Sequence, residues 1–240
     1  MVHLLDKYPD YLQFFKDSLK QGRTVLLDNS LFELEKQFNI ESFASWIEAL
    51  LPTEYIIPDK LDDMPATLMT AELWNKQFSH LPGKKIGVVQ GRTKEELIQC
   101  YIELEPMVDK IAISFNCQPY LAMSEHPSKW VRFMLGRIEY LSTLRGKGII
   151  NKSKPHHLLG ASHPMEFSFY GKEFHWIESL DTSSPIMLGY AEHTYNEFFI
   201  GDWEKPKTKM VEIFEKGISP TQLSIMQHNI IDFRRFVNAA

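Results

Sequence analysis

The stretch "KIGVVQGRTKEE", Lys85 to Glu96, decides the reading of the fold. An almost continuous apolar run ends in a polar residue, Gln90. Three residues later "TKEE" (Thr93 to Glu96) has the form of a capping box, in which a hydroxyl and a Glu satisfy the first amides of a helix. The pattern predicts a buried parallel strand followed directly by a helix. It recurs along the chain. The other runs of strand character are "TVLLDNS" (24–30), "EYIIPDK" (54–60), "KIAISFN" (110–116), "HHLLGAS" (156–162) and "HWIESLDT" (175–182). Helix signals lie between or after them: a second capping box "SLFE" (Ser30 to Glu33), an amphipathic run from Ser128 that stops at Gly146, and a last helix opened by Ser219 and Pro220.

Asp28, Asp59 and Gln90 close their strands at even intervals of 31 residues, about one βα unit each. Alternation with this period favours a parallel sheet, either closed as a barrel or open and doubly wound. No Gly-rich phosphate loop follows the first strand, which counts against the dinucleotide-binding version. The expected fold is therefore α/β, a TIM-barrel-like (β/α)8 in one domain over 1–240, with an irregular last part. Six strands are clear, a seventh near "IMLGY" is weaker, and 191–208 reads as a loop with one short element. In a barrel, strand C-terminal ends form the active-site face, which would bring Asp28, Asp59, Gln90, Asn116, Gly160 and Asp181 to one rim.

The 240 residues carry a formal charge of −5 and two cysteines. No disulfide framework or Cys-rich zinc site can be built from two cysteines. No apolar run approaches the length of a membrane span, and the expectation is a cytoplasmic protein. "RGKGIINKSKPHH" (Arg145 to His157) and "KPKTK" (Lys205 to Lys209) are locally basic within this acidic chain. Arg145, Lys147, Lys152, Lys154, Lys205 and Lys207 are thus candidates for phosphate contacts, and solvated surface loops would use the same residues.

Five motifs occur in order: "LLDNS" (Leu26 to Ser30), "IIPDKLDD" (Ile56 to Asp63), "GVVQGR" (Gly87 to Arg92), "HLLGAS" (His157 to Ser162) and "SLDTSSP" (Ser179 to Pro185). Together they resemble the tRNA-guanine transglycosylase superfamily, TIM-barrel enzymes that swap guanine for a 7-deazaguanine in nucleic acid. The resemblance implies roles for matched residues. Asp28, with Asn29 and Ser30 in place of the family's Ser-Gly, would be the general acid/base. Asp59 would grip the guanine edge and Gln90 would lie beside the base. Gly160 and Ala161 would offer backbone N–H groups to the purine oxygen, with Asn116 as a further contact. Asp181 would be the nucleophile.

The family's zinc site of three Cys and one His has no counterpart after Asp181, nor has its Arg-rich segment. What remains resembles the compact branch acting on DNA, including phage DNA. It implies DNA and a free 7-deazaguanine as partners, no cofactor or metal, and pairing into a homodimer, as barrels of this family often do.

The residue types suit this chemistry in their own right. Exchanging a base at an N-glycosidic bond needs an ionised carboxylate to hold the sugar and a second acid to shuttle the purine's proton. Other uses of the same residues stay open. D-T-S-S-P is good turn chemistry for Asp181, Asp28 could be a helix cap, and "DKLDD" could be a solvated acidic turn. His156, His157 and His163 suit structural or phosphate roles better than a metal. A nucleosidase or glycosidase barrel, a non-catalytic nucleic-acid-binding barrel and a tRNA-modifying enzyme are the alternative functions.

Overall fold

The computed structural model describes residues 1–115, 117–161, 164–195 and 210–238. Six strands alternate with helices: β1 (Leu26–Leu27), β2 (Glu54–Ile56), β3 (Lys84–Val88), β4 (Lys110–Ser114), β5 (His156–Leu159) and β6 (Ile177–Leu180). They hydrogen-bond in chain order, β1-β2-β3-β4-β5-β6. β1 through β4 are parallel, with Leu26 opposite Glu54, Tyr55 opposite Lys85 and Gly87 opposite Ile111. β5 continues in the same sense, since Ile111 N donates to Pro155 O and, four residues on in both strands, Phe115 N donates to Leu159 O. The α/β class and the six expected strands are thus present. The weak seventh strand is not, because "IMLGY" lies inside a helix, Ser184–Tyr190, with Pro185 in its first turn. Proline fixes φ near the helical value and gives up an amide that the first turn leaves unpaired. Among the described residues there is no seventh or eighth strand. Residues 196–208 of the expected loop lie outside the described residues, as do Asn116, His163, Lys205 and Lys207.

The chain forms two compact units, 1–113 with 153–156 and 114–152 with 157–240. In the first, helices α1 (Pro9–Lys20), α2 (Leu31–Leu34), α3 (Ile40–Leu50), α4 (Met64–Gln77) and α5 (Lys94–Leu104) accompany the strands. Phe43, Tyr55 and Trp74 make an aromatic core, with ring centroids 5.7–6.4 Å apart. At the start of the strands, Lys110 Nζ donates to both oxygens of Glu54 at 2.6 and 2.8 Å in a buried pair. The box around α5 forms as expected. Thr93 Oγ1 accepts from Glu96 N at 3.1 Å, and the Glu96 carboxylate reaches back to Arg92 N at 2.7 Å.

The box expected at Ser30 does not form. Ser30 is left-handed (φ 63°) and makes no side-chain cap. Its own N–H goes to Asp28 Oδ1 at 2.6 Å, and Leu31 N goes to Asn29 Oδ1 at 3.0 Å. Two consecutive Asx side chains take up the Ser30 and Leu31 amides, so the Ser30 N–H that a box would offer to Glu33 goes to Asp28 instead.

The second unit holds α6 (Tyr120–Met123), α7 (Lys129–Gly146), α8 (Ser184–Tyr190), α9 (Met210–Lys216) and α10 (Pro220–Asn238). α6 crosses α7 at Gly136, where any Cβ would meet Tyr120 at 2.3 Å. α10 opens with a reciprocal cap, Ser219 Oγ accepting from Gln222 N and Gln222 Oε1 accepting from Ser219 N. It packs on α8, and Asn229 in its middle ties Tyr195 N, His193 O and Pro185 O together.

Candidate active site

The expected site residues fall into two clusters, one in each unit, each at the C-terminal ends of its strands. In the first unit the centre is Asp59, only 4% exposed. Its Oδ1 accepts from Asn29 Nδ2 at 2.8 Å and its Oδ2 from Gln90 Nε2 at 2.7 Å. Both amides are held from behind. Asn29 Oδ1 accepts from Leu31 N, and Gln90 Oε1 accepts from Asp62 N at 3.1 Å. Neither can flip without losing that bond, so both present N–H to the carboxylate. The neighbouring acids separate by role: Asp63 caps α4 through Ala66 N at 3.0 Å, and Asp62 sits at a left-handed bend. Beside Asp59 is a small, shallow cleft lined by Asn29, Gln37, Leu31, Phe38, Phe43 and Pro58.

Burial raises the Asp59 pKa to about 6; the two amide bonds oppose the rise, and the nearby charge of Asp28 adds to it. A carboxylate whose pKa is higher in the folded state binds its proton more tightly there. Stability therefore falls as pH climbs from the unfolded value near 4 to about 6, and is level above that. The loss amounts to roughly 3 kcal/mol. His156, its pKa lowered to about 4, titrates in the same window with the opposite sign in both proteins, so the readout is the difference: between pH 4.5 and 7 urea denaturation should show stability shifting in favour of Asp59→Asn relative to wild type.

Asp28 is half-buried at the end of β1, with one oxygen committed to Ser30 N. Ser30 Oγ accepts from His3 N at 3.3 Å, which makes Ser30 part of the loop's scaffold.

In the second unit the centre is Asp181, one residue beyond β6. Its side chain is 55% exposed. Oδ1 accepts two bonds, from His157 Nε2 at 3.1 Å and from Gly160 N at 2.8 Å. The duty that a turn would ask of Asp181 is carried by its neighbour. Thr182 Oγ1 accepts from Ser184 N at 3.0 Å and donates to Ala161 O. Close packing of the carboxyl works against its charge, but the His157 bond and charge, the Gly160 N–H and the Arg137 guanidinium outweigh it. The Asp181 pKa lies below the ordinary carboxylate value.

Gly160 holds φ +73°, a conformation that L side chains rarely adopt, and this aims its N–H at Asp181. The Gly160 N–H, which the resemblance assigns to a base, donates to Asp181 in this structure. Ala161 is buried and its carbonyl is engaged by Thr182.

Behind this loop lies a salt bridge with both side chains 0% exposed. Arg137 Nε and Nη2 donate to the two oxygens of Glu166, each at 2.7 Å, and Nη1 donates to Gly160 O at 2.8 Å. Tyr170 OH adds a bond to Glu166 at 2.5 Å, and the guanidinium lies over the Phe115 ring at 5.0 Å. Burial disfavours the guanidinium charge, but Glu166 more than compensates, and the Arg137 pKa is raised.

The basic candidates are placed less favourably. Arg145 pairs with Glu173 at 2.8 Å and covers Phe174. Lys154 Nζ is taken up by Glu105 and by Val108 O. Lys147 and Lys152 are exposed, but they precede β5, whose opposite end carries Gly160. His156 is structural, with Tyr101 OH 3.0 Å from Nε2 and Lys154 O 2.9 Å from Nδ1; burial lowers its pKa to about 4. Among the described residues no group of three His, Cys, Asp or Glu could hold a metal ion, and no helix is long and apolar enough to cross a membrane.

Three contributors escaped the sequence reading. Asn29 was read only as a motif neighbour of Asp28. His157 was read as structural or phosphate-binding, although the two-residue period of β5 and β6 sets it beside Ser179 and Asp181. Arg137 lies on the same stripe of α7 as buried Phe133, Tyr140, Leu141 and Leu144, and an Arg at that spacing needs a buried partner. The chain matches no protein-family model and no curated protein.

Proposed function

We propose that this protein is a base-exchanging guanine transglycosylase, replacing guanine in DNA by a 7-deazaguanine through a covalent Asp181–deoxyribose intermediate. The observation that carries the reading is the state of Asp181: exposed, kept ionised, and, among the described residues, bonded through one oxygen to His157 and Gly160. Attack at C1′ asks for an ionised carboxylate, open to solvent and held in place. The ordered motifs support the same reading, with an eight-fold barrel as the fold they imply.

In the reaction, an Asp181 oxygen attacks C1′ as the C1′–N9 bond breaks. Asp28 gives the departing guanine the proton it needs to leave neutral. The incoming 7-deazaguanine then returns a proton from N9 to Asp28, and N9 attacks C1′ and expels the Asp181 carboxylate. No water enters the balance. Asp59, ionised, has lone pairs left after its two amide bonds to accept the purine N1–H and exocyclic amine. Recognition of guanine should therefore weaken below about pH 6. The target base must be unpaired or flipped to be reached. DNA is preferred to tRNA because two cysteines cannot build the family's zinc site.

The test is incubation of guanine-containing single-stranded DNA, and separately of tRNA, with a free 7-deazaguanine, followed by nucleoside mass spectrometry. The deazapurine should appear in the DNA digest, with an equal amount of free guanine released. Release of guanine without incorporation would mean hydrolysis instead, and no change in either polymer would overturn the reading.

A further inference from the structure

The geometry points to His157 as the positioning residue for the nucleophile: its Nε2–H and the Gly160 N–H hold Asp181 Oδ1, so that Oδ2 is the oxygen that bonds to C1′. The assignment rests on the transglycosylase reading above and extends it to a residue and an atom. His157 is 3% exposed at the side chain, and its other nitrogen, Nδ1, lies 2.9 Å from Ser179 Oγ. A serine hydroxyl can donate to a bare Nδ1 or accept from a protonated one. In either case Nε2 carries the hydrogen that faces Asp181, because a carboxylate only accepts. The geometry thus holds for neutral imidazole and imidazolium alike.

Oδ1 receives both bonds, and each lowers the electron density available on that oxygen. Two donors also fix the plane of the carboxylate. A displacement at C1′ needs such alignment, and misplacement of about 1 Å costs about 10²-fold in rate. Among the described residues, the charged groups facing the His157–Asp181 pair are Arg137 from α7 and Glu166 from the 3-10 turn Pro164–Phe169, which neutralises Arg137, and Ser179 of β6 supplies a further polar contact.

Three measurements on the full chain test this. In wild type, ¹⁵N-imidazole spectra should show His157 protonated at Nε2 at every pH from 5 to 9; a bare Nε2 with protonated Nδ1 overturns the proposal without recourse to any variant. Carboxyl ¹³C titration should place the Asp181 pKa higher in His157→Phe than in wild type, with His157→Gln in between because its amide can still donate. In base exchange, His157→Phe should lower kcat by about 10²-fold with KM changed less than threefold. His157→Gln should restore part of the loss. A His157→Phe protein of wild-type rate and unmoved Asp181 carboxyl titration overturns the positioning role alone. A wild-type protein that shows the Nε2–H bond but exchanges no base overturns the transglycosylase reading, and the role assigned to Oδ2 falls with it.

Discussion

The Asp181→Asn protein should lose base exchange by about 10⁴-fold or more, as removal of a nucleophile does elsewhere, while keeping its fold. The retained fold follows from the geometry. Both donors address the same oxygen, His157 Nε2 at 3.1 Å and Gly160 N at 2.8 Å. An amide can keep its carbonyl oxygen at that position and place its NH₂ where Oδ2 stood, which is exposed. Neither bond is lost, so thermal unfolding should shift little. The chemistry is lost because an amide nitrogen cannot serve as the nucleophile or leave as a stable anion. Asp181→Asn with near wild-type melting and near wild-type exchange would remove Asp181 from the reaction. Collapse of the fold would show instead that its charge is needed for structure.

The second large effect is on stability. Arg137→Leu should destabilise the protein by about 3–5 kcal/mol, because it strands the Glu166 carboxylate in a site with no exposure. For a chain of this size that corresponds to a fall in melting temperature on the order of 10 °C. Tyr170 OH remains as a partner for Glu166 at 2.5 Å, but one neutral donor does not replace a bidentate cation. The double variant Arg137→Leu/Glu166→Leu should recover most of the loss, since paired removal leaves no buried charge. It should not recover activity fully, because Gly160 O loses its 2.8 Å donor and the loop that supplies the Asp181 bond is freed. Urea or thermal denaturation of the three proteins checks the first part. A double variant no more stable than Arg137→Leu would mean that the pair contributes through packing instead of charge.

How much of this was legible beforehand depends on the kind of signal. Strand positions were, because buried parallel strands read as apolar runs closed by polar residues, and all six appear within or overlapping their expected spans. The caps at Thr93 and Ser219 were legible because their partners are local. The one at Ser30 misled for the same reason: Asp28 and Asn29 are better local acceptors, and only the folded backbone shows which of them wins. "IMLGY" looked like a strand by composition, although Pro185 at the start of α8 was in view.

At the site, strand-end acids stood out individually, but their partners did not. Asp59 and Gln90 are 31 residues apart and their 2.7 Å bond exists only through strand pairing. Arg137 and Glu166 are 29 residues apart, and Glu166 lies on a 3-10 turn, Pro164–Phe169, that has no periodic pattern. The basic run from Arg145 to Lys154 reads alike for phosphate contacts and for a solvated surface. Local composition allowed both, whereas Arg145 and Lys154 are engaged with Glu173 and Glu105.

The central claim is that Asp181 carries the sugar. Its most direct test is mass spectrometry of the protein after incubation with a guanine-containing single-stranded oligonucleotide and denaturing quench without acceptor base. The account expects a covalent protein–DNA adduct that maps by peptide sequencing to Asp181, disappears on addition of a 7-deazaguanine before the quench, and is absent from Asp181→Asn. An adduct at another residue, or base exchange that proceeds with no adduct at any time point, would contradict it.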